Sequence, residues 1–490
     1  MPRSTAEVYH ELTKYTPEGI SRRGGGLDFD RQPVPFKEYA TGERIPLTPF
    51  LPRGDELRDD TRLAEWRAGL SDAERALAEV SHLLYFTNGV TGMVPSPGQP
   101  LLMRAAPSAG ALYPTEIYLV AHGHVGLEDG LYNYQVRDHS LVRFWNQDVW
   151  HAFSEATFDH PSLARTGLAL VLTGVFYRSA WRYEDRAYRR VLLDSGHVLG
   201  NAALYAPQVG LRVAPIGGYR DTALNDLLFL EPGLEEVIAV AALLPFASNA
   251  PGPSALSGPV VPYAEAPEGQ RLEAVHDAGK MVVPADRPLP PLAPRRPALS
   301  HAEALAAHPI AWNGKLGPTI LERRSTRSYS GEGLTRAELA QLLDFAYLDD
   351  ATALFAGELL QTYVAVRAVS GVEPGCYHYD PAARTLRQVR FQDLSEQVHY
   401  LALGQDLAAL AGAVVFHTAD LPGAIARYGD RAYRYLHLDA GHLGERLNVA
   451  AIRMGLGVSG IGGFFDDEVN ELLGIPEDEA VVYITTLGRP

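Results

Sequence analysis

Three stretches of this 490-residue chain carry residue types suited to an anionic, ring-bearing ligand. The first, LERRSTRSY, places Arg323, Arg324, Ser325 and Arg327 just before a helix cap at Thr335. Planar guanidiniums that stay charged, beside a hydroxyl, match what a phosphate needs; a solvated basic run on an acidic surface is the competing reading. The second, RAAPSAGALYPTEIY (104–118), sets Ser108, Ala109 and Gly110 between two prolines, with Pro107 before them and Leu112 after. Small residues there let backbone approach a flat ligand closely, although a tight turn entering a strand uses the same residues. The third is a pair of glycine turns, PIGGY (215–219) and GIGGF (460–464), whose backbone amides could bond a ring edge or a phosphate. Asp194/His197 and Asp439/His442 sit three apart on one helix face, as a metal pair or acid–base dyad would. A structural hydrogen-bonding role is favoured, because the pair occurs twice. No Walker loop, zinc spacing or Ser-His-Asp context is present, no metal is expected, and the single Cys376 can form no intramolecular disulfide.

The elements that position these residues are duplicated. Residues 182–228 (RYEDRAYRRVLLDSGHVLG…) align without a gap on 427–473 (RYGDRAYRYLHLDAGHLGE…), at an offset of 245. Asp185 falls on Asp430, Tyr188 on Tyr433, His197 on His442, and Gly217–Gly218 on Gly462–Gly463. Upstream, GLYNY (130–134) meets GCYHY (375–379), and Tyr118 meets Tyr363. A unit of roughly 190 residues is too long for a solenoid repeat and marks a duplicated domain. Each copy reads as a helical start (LSDAERALAEV; LTRAELAQLLDFA), a strand (EIYLVAHG; TYVAVRAV), the GxYxY hairpin, a long helix through DxGH, and a closing strand (VIAVAALL; AVVYITTL). That order predicts an α+β fold. The predicted organisation is an N-terminal extension (1–52), a first domain (53–247), a Pro/Ala-rich linker read as extended (248–300) and a second domain (301–490). The run SRRGGG follows no apolar strand and is expected to be a loop, not a phosphate cradle.

Composition narrows the function classes. At 46% hydrophobic and 21% charged residues the chain is of globular type. A net charge of −16 argues against nucleic acid or an anionic membrane as partner. No apolar run approaches the ~18 residues of a membrane span. The polar N-terminus lacks a signal-peptide core, so a cytoplasmic protein is expected.

Taken in order, R-x-S-x-R, P-S-A-G, GxYxY, RYxxRxYR, GIGGF and the terminal GRP resemble the FMN-dependent nitroreductase superfamily. Within it, PSAGALYP and YxxRxYR resemble the SagB/ThcOx-type dehydrogenases, including the McbC-like azoline oxidases of modified-peptide biosynthesis. YHELTKYTPEG and PVPFKEY fit their tandem members. The resemblance implies two nitroreductase-like domains (central mixed or antiparallel sheets flanked by helices) forming an intramolecular pseudo-dimer with FMN at the interface. Arg323, Arg324, Ser325, Arg327, Gly460, Ile461, Gly462, Gly463 and Arg489 would come from the second copy. Pro107, Ser108, Ala109, Gly110 and Leu112 would come from the first. The losses are complementary. Ala353–Phe355 stand where the second copy would need P-S-A-G, and Asp59, Asp60 and Thr61 stand opposite Arg323–Ser325, where two carboxylates would repel a phosphate. One FMN per chain is expected.

The McbC-like enzymes carry a Lys-Tyr pair where this chain has Arg182-Tyr183 and Arg427-Tyr428. Arginine stays protonated and is no routine base, but it could lower the pKa of the adjacent tyrosine, which would then serve. Packing of both tyrosines at the domain interface is the alternative. The resemblance implies oxidation of a peptide azoline or small heterocycle, and leaves room for a complex with a cyclodehydratase and for a higher oligomer. An NAD(P)H-dependent nitro- or quinone reductase and a flavin-free scaffold are the competing functions.

Overall fold

The computed structural model describes residues 3–22, 26–95, 100–248, 254–285, 289–291, 302–306, 309–347 and 354–490. Each half builds one seven-stranded sheet. The first contains β1 (Glu43–Pro46), β2 (Thr115–Ala121), β3 (Gly130–Gln135), β4 (Ser140–Trp145), β5 (Leu168–Val175), β6 (Leu211–Ile216) and β7 (Glu235–Pro245), in the order β1-β4-β3-β2-β5-β7-β6. The second repeats that order as β8-β11-β10-β9-β12-β14-β13. Its strands are β8 (Ala302–Ala304), β9 (Leu360–Val366), β10 (Gly375–Asp380), β11 (Thr385–Arg390), β12 (Ala413–Asp420), β13 (Gly457–Ile461) and β14 (Glu479–Gly488). Every pairing within the two sheets is antiparallel. The nearly unbroken apolar runs of β7 and β14 follow from their position, since both are buried along almost their whole length.

The helices used below are α1 (Thr5–Leu12), α2 (Asp72–Asn88), α3 (Ala187–Tyr205), α4 (Arg271–Ala278), α5 (Arg336–Tyr347) and α6 (Ala432–Arg453). The helical starts read from sequence are α2 and α5. Ser71 and Glu74 close a capping box on α2, and Thr335 exchanges the same two bonds with Glu338 at α5. Among the described residues no helix is long and apolar enough to cross a membrane.

The halves meet through α3 and α6. A Cβ on Gly196 would lie 2.3 Å from the Leu438 carbonyl, and one on Gly441 would lie 2.3 Å from the Leu193 carbonyl. Only glycine permits this crossing, at the point about which the halves are related. Buried ion pairs flank it, exchanged between halves: Arg186 and Arg189 reach Asp466, while Arg431 and Arg434 reach Asp221. Burial alone would raise both carboxyls, but the paired guanidiniums hold each below its ordinary value.

The linker departs from the extended connector expected of it. Its described residues include α4, and Leu272, Val275, His276 and Met281 are buried against the halves. It is the counterpart of the N-terminal extension. His10 of α1 meets the Tyr433 hydroxyl at 3.2 Å, and His276 of α4 meets the Tyr188 hydroxyl at 3.2 Å. Arg186 donates to the Thr13 carbonyl and Arg431 to that of Gly279, while the Tyr15 amide donates to Asp466 and that of Met281 to Asp221. The duplicated unit therefore includes an N-terminal arm as well as the sheet domain.

Candidate functional site

A cavity of about 460 Å³ opens where the halves meet. The first half supplies Pro107–Gly110, Arg182, Tyr183 and four α3 residues, Arg190, Leu193, Asp194 and His197. The second supplies Ser325, Arg327, Asn448, the turn Ser459–Gly463, Tyr483, and Leu403 with Gln405. The size lies within the range of small-molecule sites.

The loop at 107–113 is shaped by Asp194, which accepts from the Ser108 hydroxyl at 2.5 Å and from the Ala109 amide at 3.2 Å. Ser108 Oγ in turn accepts from the Tyr113 amide at 2.8 Å. Gly110 sits at φ +65°, and a Cβ there would lie 3.0 Å from the Tyr183 hydroxyl. Burial pushes Asp194 up to about 7, against the opposing Ser108 and Ala109 bonds. It is the one carboxyl among the described residues lining the cavity. Asp439 takes the amides of Leu354, Phe355 and Ala356 in the same way and is likewise pushed up to about 7 by burial. The Asp of each D-x-G-H thus holds a loop in place. His197 Nε2 meets the Tyr483 hydroxyl at 3.2 Å, and burial lowers its pKa to about 4, leaving a neutral imidazole.

Tyr183 lies under two cations, with the Arg190 guanidinium 3.9 Å from its ring centre and that of Arg182 at 5.7 Å. Sequence suggested that arginine would lower the tyrosine pKa. Instead burial outweighs both arginines and the phenol sits above its ordinary value. It is a proton-bearing donor at neutral pH.

The donor set fits a flavin mononucleotide. Ser325 and the exposed Arg327 offer a hydroxyl and a charged fork for a phosphate. Deeper in, Arg190 Nε and Asn448 Oδ1 are buried without partners, a donor and an acceptor of the kind an imide ring edge would satisfy. Side chains at 460 and 462 would collide with Tyr483 and Arg190, so the turn presents bare backbone.

Several expected residues lie elsewhere. Arg323 is fully buried, donating to the Ala105 carbonyl at 2.8 Å and the Arg104 carbonyl at 3.2 Å, with Glu445 at 4.0 Å. It clamps the strand leading to Pro107, because two buried carbonyls need a donor. Arg324 caps the carbonyls of Leu321, Arg323 and Thr91. Arg489 donates through Nη2 to both oxygens of Glu338 at 2.8 and 2.9 Å and through Nε to the Gly333 carbonyl, and it does not line the cavity. Leu112 lines a neighbouring groove instead.

Arg427 and Tyr428 lie at the second, related place, which is filled. Arg427 donates to the Pro290 carbonyl at 2.6 Å, and Tyr428 to Glu358 at 3.2 Å. Phe355 and Tyr435 stack there, and residues 254–258 of the second arm lie over them. Asp59 and Asp60 do not close that place by repulsion. Asp59 caps the helix Asp60–Ala68, and Asp60 accepts from the Gly317 amide. Ala353, expected opposite Ser108, lies outside the described residues, as does the centre of SRRGGG.

Sequence reading passed over Arg190, Asn448 and Ser459, which line the cavity. A signal existed: at the 245 offset these positions hold Tyr435, Ala203 and Ala214, each a change of chemistry between copies.

Comparison with known proteins agrees with this architecture. The nitroreductase family pattern matches residues 73–244 and again 320–489. A crystal structure from Anabaena variabilis, described as a nitroreductase, superposes with a TM-score of 0.91 at 46% identity, covering 100% of both chains. A Methanocaldococcus jannaschii protein described as a nitroreductase is 35% identical over 170 residues, 33% of this chain and 86% of its own length. The microcin B17-processing protein McbC of Escherichia coli is 32% identical over 144 residues, 28% of this chain and 52% of that protein.

Proposed function

We propose that this chain, which belongs to the nitroreductase family, is an FMN-dependent dehydrogenase that oxidises a peptide azoline or related heterocycle to an azole. The observation that carries the reading is the cavity assembled from complementary parts of the two halves, with an orphaned donor and acceptor inside it. The likeness to McbC, a microcin-processing protein, supports a peptide substrate.

FMN, when bound, accepts a hydride at N5. The chain's own residues bind and orient. Ser325 and Arg327 hold the phosphate at the rim, and Arg190 Nε with Asn448 Oδ1 fix the ring edge. Tyr183 Oη, protonated at neutral pH, donates a hydrogen bond that orients the heterocycle over the loop at Gly110. Asp194 holds or releases a proton near pH 7, and the Ser108 hydroxyl links it to the cavity.

The purified protein should carry about one flavin per chain by absorbance, with Arg327→Ala losing most of it. Two flavins per chain, or full retention in the variant, would refute the site. Oxygen-driven oxidation of an azoline peptide is the expected activity. Steady NAD(P)H consumption with a nitroaromatic, without azoline turnover, would give the protein to the nitroreductase reading instead.

A further inference from the structure

Beside the cavity runs a groove of about 660 Å³, sharing Gly110 with it. One wall is the first arm, with Phe29, Val34 and Phe36. The other is the hairpin Val90–Val94/Leu101–Arg104, with Leu101 and Leu102. Part of its apolar surface is exposed: Phe29 is 68% exposed and Val34 62%. Isolated exposed apolar residues need no explanation, but a concave patch continuous with a reactive cavity does. The one charged lining residue, Arg137, is already engaged, stacked 4.7 Å over Phe36 and paired with Glu38 at 2.8 Å. The arm is also tied to the helix Phe176–Tyr183 that delivers Tyr183. Trp181 Nε1 donates to the Asp28 carbonyl at 2.9 Å, and Phe29 packs edge-on against Trp181 at 5.9 Å.

We propose that this groove binds a bulky apolar or aromatic side chain adjacent to the reacting ring of a peptide substrate, and so sets which ring is oxidised. This rests on the azoline reading above. The argument is geometric: a substrate seated over Gly110 lies at the mouth of this largely apolar groove, and Pro33 and Pro35 hold its wall rigid at little entropic cost on binding. Apart from Gln32 and the engaged Arg137 the lining side chains are apolar, so the chemistry favoured is hydrophobic.

The test uses two blocked, fluorescein-labelled peptides with a central thiazoline, one flanked by Phe and one by Ser, added to the holoenzyme. Fluorescence polarisation should show the Phe peptide binding at least about tenfold tighter, the scale of burying one large side chain. Val34→Asp with Leu101→Ser should remove that preference while flavin absorbance stays at the wild-type level. Should that variant fail to fold, Val34→Trp fills the groove and should have the same effect. Equal affinities in the wild type, a preference that survives in the variants, or no binding of either peptide would overturn the proposal. Because polarisation needs no turnover, tight binding without oxidation would count against the azoline reading and leave the groove in place.

Discussion

The two interface sites begin from one ancestral geometry and end in opposite states. At the first, Gly110 and Arg190 leave a cavity between the halves. At the corresponding positions of the second, Phe355 and Tyr435 stack with ring centres 5.4 Å apart. Tyr435 donates to the Gly217 carbonyl at 2.8 Å, and a side chain at Gly218 would strike Leu256 of the second arm. What both sites keep is structural: the Asp that holds the loop, the exchanged Arg–Asp pairs, the His–Tyr contacts of α1 and α4. What only the open site keeps is the chemistry, in Ser325, Arg327, Arg190 and Asn448. Fusion of two halves into one chain frees the second site from binding, and apolar packing there then contributes to stability.

Exchanging the residues that distinguish the sites should have the largest effect. Gly110→Phe with Arg190→Tyr writes the closed site into the open one. Flavin content should fall below about a tenth of wild type, since a phenylalanine at φ +65° and a second ring fill the space. Circular dichroism should be unchanged, and Arg190→Tyr alone should give an intermediate loss. The reverse exchange, Phe355→Gly with Tyr435→Arg, should create no second flavin site, because Ser254 and Leu256 still occupy the place. A second flavin in that variant would break the comparison.

Much of this was legible in sequence because duplication supplies an internal control. The offset of 245 located the central strands of both sheets and both long helices, while the edge strand β1 lies within the stretch read as an extension. The arms escaped because their spacing differs: His10 and His276, equivalent in contact, lie 266 apart, and a search at one offset passes over them. For Arg323 and Arg489, residue type shows that a guanidinium is present but not which carbonyl or carboxylate engages it. Burial was the other hidden quantity. It sets Tyr183 above its ordinary pKa despite two adjacent arginines, and no pattern of charges along the chain reveals which influence wins.

The paired tyrosines sharpen the comparison at smaller scale. Tyr183→Phe should leave flavin bound but lower kcat about 100-fold, the scale of a lost orienting hydrogen bond. Tyr428→Phe should leave both flavin and kcat at wild-type levels, because its hydroxyl is spent on Glu358. Equal losses in the two variants would mean that Tyr183 acts through packing alone.

Asp194 and Asp439 should differ least in stability and most informatively in activity. Both have folded-state values pushed up to about 7 by burial, above the ordinary carboxyl value of 3.8. Between about pH 4 and 7 the unfolded chain binds fewer protons than the folded one, so stability is greatest below the unfolded value and is lost as pH rises through the folded one. Replacing either residue by Asn should flatten that decline by a similar amount, on the order of 4 kcal/mol for a rise from 3.8 to about 7, measured as Tm against pH. The two variants should part in the pH profile of azoline oxidation. Asp439→Asn leaves it unchanged, since that carboxyl is bonded to three backbone amides at the filled site. Asp194→Asn removes the inflection near pH 7, since its partner Ser108 opens onto the cavity. An inflection that survives in Asp194→Asn would place the titrating group elsewhere and reduce Asp194 to the loop-holding role that it shares with its twin.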